Sequence, residues 1–257
     1  MGCLDFDGVD DKLKWTTLAQ ALKDVSDGAW TLAILLKRDG TGTFDAIAYL
    51  LSGSGVGTAE AGLSFDSTNK TLVDVAGLGA NGPTALASTT SPYLIVVSKG
   101  AGSVAPRVGF KLGSGGAWTH ENTDASVPDQ IDATMLEIGA WEGGDPFNGH
   151  IGVVAWWEGA MSDANKEALD NNWRTSDLWT SAHGTPVFLA ELNVAGSSVV
   201  DLAGNASSLT ATGTTLDAAE TLDSWNFDGT GAAVLGVEEE FWHVFTPPIQ
   251  ESTVSVW

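Results

Sequence analysis

Cysteine is almost missing from this chain. Its 257 residues include one, Cys3, so no intrachain disulfide can form. A catalytic thiol needs a histidine and an orienting partner, and neither adjoins Cys3, which reads instead as a small buried apolar residue of the first strand. Basic residues are also scarce: 11 Lys and Arg stand against 33 Asp and Glu, a net charge of -22. That field repels phosphate backbones and anionic lipid, so nucleic acid and membrane surfaces are excluded as partners. Charged residues of both signs make up only 17% of the chain, so Ser, Thr, Asn and Gly must form much of the surface. No apolar run approaches the ~18 residues of a membrane helix, so no membrane insertion is expected. No basic and then apolar leader precedes Cys3-Leu4-Asp5-Phe6, so no signal peptide is expected.

The patterns of hydrolytic chemistry are missing as well. Glucanase carboxylates on alternate residues of one strand would read Glu-x-Asp-x-Glu, and no such string occurs. Glu238-Glu239-Glu240 is contiguous, so its members alternate between faces if extended. His120, His150, His183 and His243 lack metal-ligand spacing. Gly53-Ser54-Gly55-Val56-Gly57 is a flexible loop and not a nucleophile elbow. No catalytic residue is assigned, and no enzyme is expected.

What the chain does contain is apolar residues, 43% of the total, in short runs between turn signals. Trp30–Lys37, Asp45–Leu51, Tyr93–Ser98, Arg107–Leu112, Leu136–Trp141 and Ile151–Trp157 read as strands. The second alternates around Ile47 and Tyr49. The third is nearly all apolar, which predicts burial on both faces. Leu63–Phe65 and Thr71–Val75 form a hairpin around Asp66–Asn69. Leu78–Ser91, rich in Gly, Ala, Ser and Thr, reads as a surface loop, and Trp118–Ile131 as irregular. Thr17–Leu22 reads as a helical turn and Ser198–Leu202 as a strand. Ser162 N-caps a helix from Asp163 to about Trp173. Many short strands with one helix and no βαβ alternation predict an all-β, two-sheet antiparallel sandwich.

Three motifs narrow this. Phe147-Asn148-Gly149-His150-Ile151, an apolar strand through Trp157 and then Met161-Ser162-Asp163-Ala164-Asn165 form one. Leu4-Asp5-Phe6-Asp7-Gly8-Val9-Asp10-Asp11-Lys12-Leu13 forms the second, and Val199-Val200-Asp201-Leu202-Ala203-Gly204-Asn205 the third. Together they resemble laminin-G-like, concanavalin A-like jelly rolls. The resemblance implies a jelly roll over residues 1–227 with a C-terminal extension over 228–257. Taken with the acidic, lysine-poor composition, it is similar to bacteriophage minor tail and virion-surface proteins. It implies a virion location, host-surface glycan and other virion tail proteins as partners, and a homo-oligomer. The alternative is a purely structural virion component.

The eleven tryptophans fit sugar stacking. Trp30 and at least one of Trp156 and Trp157 belong to the core. Trp118, Trp141 and Trp179 fall at strand ends or loops, so Trp118, Trp141, Glu142, Asp145, Asn148 and Trp179 are the candidate carbohydrate-binding residues. No cofactor is assigned, but acidic loops admit calcium, for which Glu142 and Asp145 are the candidate ligands. Asp5, Asp7, Asp10 and Asp11 are also clustered, although Asp7 fits a turn that bonds backbone amides. Phe241, Trp242, Phe245, Ile249, Val254 and Trp257 are the candidate subunit contacts, because an apolar terminus is expected to dock.

Overall fold

The computed structural model describes residues 3–52, 59–113, 116–129, 133–141, 144–169, 184–193 and 196–217. In chain order these form β1 (Cys3–Asp7), β2 (Lys12–Leu18), α1 (Gln20–Lys23), β3 (Trp30–Arg38), β4 (Asp45–Leu51), β5 (Ala59–Phe65), β6 (Lys70–Val75), β7 (Leu78–Ala85), β8 (Tyr93–Lys99), β9 (Arg107–Leu112), β10 (Thr119–Asn122), β11 (Met135–Ile138), β12 (Asn148–Glu158), α2 (Asp163–Leu169), β13 (Phe188–Glu191), β14 (Ala206–Thr212) and β15 (Thr215–Asp217). The named strands all pair antiparallel. One sheet runs β10-β9-β8-β3-β12-β1-β15, with β13 also paired to β12; the other runs β14-β2-β11-β4-β5-β6-β7. This is the expected jelly-roll sandwich. Chain contacts divide the molecule into Met1–Trp225 and Asn226–Trp257. All described residues belong to the first unit, so Phe241, Trp242, Phe245, Ile249, Val254 and Trp257 lie outside them.

The core follows from two-residue periodicity. Leu32, Ile34 and Leu36 of β3 face the other sheet together with Ile95, Val97, Val154 and Trp156. The alternate residues Ala33, Leu35, Leu94, Val96, Val153, Ala155 and Trp157 face outward and are also buried, beneath Met161 and Leu169. The continuous apolar runs thus mark strands covered on both sides. Trp156 and Trp157 are both buried, one in each layer.

Arg38 and Asp45 join the two sheets through a buried ion pair of 2.6 Å. Arg38 also donates to the Leu86 carbonyl and lies 4.1 Å from the Phe65 ring centroid. At the sandwich edge, the Glu121 carboxylate of β10 accepts bonds from the Thr84 amide and hydroxyl of β7.

The motif residues hold turns. Asp7 accepts the Val9 amide, Ser162 accepts the Asn165 amide at the start of α2, and Asp201 accepts the amides of Leu189, Ala203, Asn205 and Ala206.

Several local expectations are corrected. Leu78–Ala85 is not loop but strand β7, paired to β6. Its glycines accommodate neighbours: a Cβ on Gly79 would meet Leu72 and Asp74 at 2.8 and 2.9 Å, and one on Gly82 would meet Thr71 at 2.4 Å. Ala76 and Gly77, both at positive φ, make the tight turn that sets this pairing. Thr119–Asn122 is strand β10, an edge strand made wholly of polar residues, so it carries no apolar alternation to read. Thr17 and Leu18 continue β2, so the helical turn starts at Gln20. Residues 198–202 form turns around Asp201 and not a strand. The proposed helix continuation beyond Leu169 lies outside the described residues.

Candidate functional site

The outer face of the seven-stranded sheet carries one unbroken cross-strand row. Successive registers align Thr210 of β14, Lys14 of β2, Glu137 of β11, Tyr49 of β4, Gly62 of β5, Asp74 of β6 and Gly79 of β7. Tyr49 reaches this face because of a bulge. Strict alternation would set Ile47 and Tyr49 on the same side. The register shifts between Ala46 and Ala48, so Ile47 enters the core while Tyr49 joins Ala46 and Leu51 outside.

Gly62 then lets Tyr49 lie across the sheet, since a Cβ there would stand 1.9 Å from the ring. The Tyr49 hydroxyl donates to Asp74 at 3.3 Å. The Trp141 indole stacks on Tyr49, with centroids 6.0 Å apart and planes at 23°. Trp141 is half-buried and its Nε1 is enclosed without a partner among the described residues. Trp141 is held by a reciprocal pair of backbone bonds with Gly144, at 3.1 and 2.8 Å.

The electrostatics of the row differ from end to end. Glu137 is buried and pairs with Lys14 at 3.0 Å. Burial raises the Asp74 pKa, and the Tyr49 hydroxyl opposes that rise. Burial, and then the Asp74 charge, push the Tyr49 phenol well above its ordinary value.

The structure divides the candidate binding residues. Trp141 and Asp145 lie close together, and the Asp145 carbonyl accepts the Ala46 amide of β4. Trp118 belongs to the opposite side of the molecule. It packs on the outer layer of the eight-stranded sheet and stacks on His120 at 5.5 Å and 2°. Asn148 opens β12 in that same sheet, with its side chain against Gly8 and Gly40. One continuous surface through Trp118 and Trp141 is therefore corrected to two separate faces, because Trp118 packs on the outer layer of the eight-stranded sheet and Trp141 on Tyr49 of the seven-stranded sheet. Glu142 and Trp179 lie outside the described residues.

Sequence reasoning missed Tyr49, Asp74, Glu137 and Lys14. They are distant along the chain and meet only through register. A Tyr two residues after an Ile in an otherwise apolar strand gave no sign of the bulge.

Among the described residues, two side-chain groups have spacing that could hold a cation: Asp7, Asp10 and Asp11, and Asp5, Asp39 and His150. Neither includes Asp145. In the first group, Asp11 accepts the Asp7 amide and Asp7 accepts the Val9 amide, so both also serve the turn. In the second, β1 sets Asp5 opposite His150, whose Nδ1 lies 3.2 Å from Asp39. This cluster was invisible to linear spacing.

No protein-family model matches the chain, and no curated protein sequence does. Solved structures do. A candidate carbohydrate binding protein from Bacteroides ovatus aligns with a TM-score of 0.57 at 16% identity, over 84% of this chain and 59% of its own length. The native heptameric SAP-like pentraxin from Limulus polyphemus aligns with a TM-score of 0.50 at 13% identity, over 84% and 94%. Mouse laminin alpha1 chain domains LG4-5 align less closely, with a TM-score of 0.41 at 10% identity, over 61% and 40%. This chain thus spans 59% of the Bacteroides protein. Identities this low establish likeness of fold. The class is a concanavalin A-like jelly roll with two antiparallel sheets.

Proposed function

We propose that this jelly roll is a non-catalytic glycan-binding module, with its site on the outer face of the seven-stranded sheet around Trp141. The stacked Trp141–Tyr49 pair on a polar cross-strand row carries this reading. An indole held in a fixed plane offers the apolar face of a sugar ring a preorganised partner, and the flanking polar groups can bond its hydroxyls. A binding role is favoured over hydrolysis by the carboxylates of the row. Glu137 and Asp74 are three strand spacings apart, about 14 Å along the sheet, whereas a glycosidase pair stands roughly 5 to 9.5 Å apart. Glu137 is in addition held by Lys14. The context we infer is the surface of a bacteriophage particle, with host-surface glycan as the ligand. It rests on the acidic, lysine-poor composition and the motif resemblance.

A glycan array probed with the purified chain tests the site. Trp141→Ala should abolish binding, and Trp118→Ala, on the opposite face, should retain it. Binding that survives Trp141→Ala, or that is lost only with Trp118→Ala, would overturn the assignment.

A further inference from the structure

Carboxylates withdrawn from water need a partner. In this molecule Asp45 has Arg38 at 2.6 Å, Glu137 has Lys14 at 3.0 Å, Asp129 has Lys99, Asp163 has Arg107, and Asp201 has four backbone amides. Asp74 departs from this pattern. It is half-buried, yet its hydrogen-bond contact is the Tyr49 hydroxyl at 3.3 Å, longer than a good O–H···O bond. Among the described residues no Lys, Arg or His forms an ion pair with it. Its row neighbours across the sheet are two glycines, Gly62 and Gly79, so no side chain from either covers it. One strand further lies Tyr49, capped by Trp141.

We propose that Asp74 and the Trp141–Tyr49 pair form a subsite for an amino sugar carrying a free ammonium, a hexosamine that is not N-acetylated. This rests on reading the face as a glycan site and names the class of glycan. An ionised carboxylate only accepts hydrogen bonds. A neutral sugar hydroxyl would supply a donor and leave the charge uncompensated. An ammonium supplies the charge and three donors, and an aromatic face nearby attracts it further. The net charge of -22 raises the local concentration of cations and disfavours sialylated, sulfated or uronic polymers.

The test is calorimetric titration of the intact chain with a glucosamine hexamer, its fully N-acetylated counterpart and cellohexaose, at a pH where the amines are protonated. The glucosamine hexamer should bind about tenfold more tightly than the other two, the scale of one charge pair in a partly desolvated site. Asp74→Asn should erase that preference and keep binding to the neutral hexamers. Asp10→Asn, which removes an exposed carboxylate elsewhere, should keep the preference. Asp74 makes no ion pair in the described structure, so its amide variant should fold, with the thermal midpoint as the check. Equal affinities, or a preference that survives Asp74→Asn, overturn the amino-sugar subsite and leave the glycan reading intact. Binding of none of the three would count against the glycan reading itself and take the subsite with it.

Discussion

The two outer faces of this sandwich are built by opposite rules. On the eight-stranded sheet, alternate residues of β3, β8 and β12 form a second apolar layer closed by Met161 and Leu169. Charged groups on that side are matched: Arg107 grips the Asp163 carboxylate through Nε and Nη2, and Lys166 donates to the Arg107 carbonyl at 2.9 Å. On the seven-stranded sheet the apolar cluster is small, Ala46, Tyr49 and Leu51 with Met135 and Trp141, and a carboxylate lacks a cation. Natural proteins break local rules at functional sites and make up the stability elsewhere. The first face is closed by a second apolar layer, and the second is the one on which the proposed glycan site rests.

The largest test of that contrast is Trp157→Ala. The side chain is 1% exposed under the α2 layer, and its Nε1 donates to the Gly184 carbonyl. Removing it should cost about 3–5 kcal/mol in urea unfolding, while the remaining folded protein keeps its glycan affinity. A loss under about 1 kcal/mol would mean that this face is not a second core.

Gly62→Ala probes the other face. The new methyl enters the space of the Tyr49 ring, so Tyr49 and the indole above it must shift. Overpacking of this kind should cost about 1–3 kcal/mol. Here, unlike Trp157→Ala, ligand affinity should fall and Trp141 fluorescence should move. An unchanged affinity would separate the aromatic pair from binding.

These two variants also divide what the sequence discloses from what it hides. Trp156 and Trp157 stand in an apolar run that announces a buried strand. Asp7, Ser162 and Asp201 were legible because they bond amides within five residues of themselves along the chain. The site row is not local. Its members come from seven strands, and their alignment depends on the bulge at Ile47 and on pairings over long chain distances. Gly79 and Gly82 misread as loop because their reason is the side chains of Leu72, Asp74 and Thr71 leaning over them. Trp118 and Trp141 looked equivalent as strand-end aromatics, and only the sheet assignment separates them.

Lys166 gives a smaller effect with a defined pH window. It is fully buried, and burial lowers its pKa to about 8. The unfolded chain keeps the proton up to about 10.4. Between these values the unfolded state binds more protons, so stability rises with pH, by about 2 kcal/mol from pH 8 to 10. Above about pH 10 Tyr49 reverses the trend, because its raised phenol pKa makes the unfolded state the easier one to ionise. Lys166→Met should flatten the rise and leave the later fall. A rise of the same size in the variant would show that the closed face is not where the titration acts.

Asp74→Asn should produce the smallest change in stability, and its sign is informative. Burial raises the Asp74 pKa, so the folded state holds the proton more tightly than the unfolded state. The resulting stability is fully present below the unfolded carboxylate pKa and is lost as pH rises through the folded value. At neutral pH the ionised group is therefore a liability, and the amide variant should be more stable than the natural chain by about 1 kcal/mol or less. That advantage should shrink as the medium is acidified. The same substitution should weaken amino-sugar binding. A residue whose removal stabilises the fold and impairs the ligand is held for function. If Asp74→Asn instead destabilised the protein at neutral pH, the Tyr49–Asp74 contact would be structural, and the two outer faces would differ only in how much apolar surface they cover.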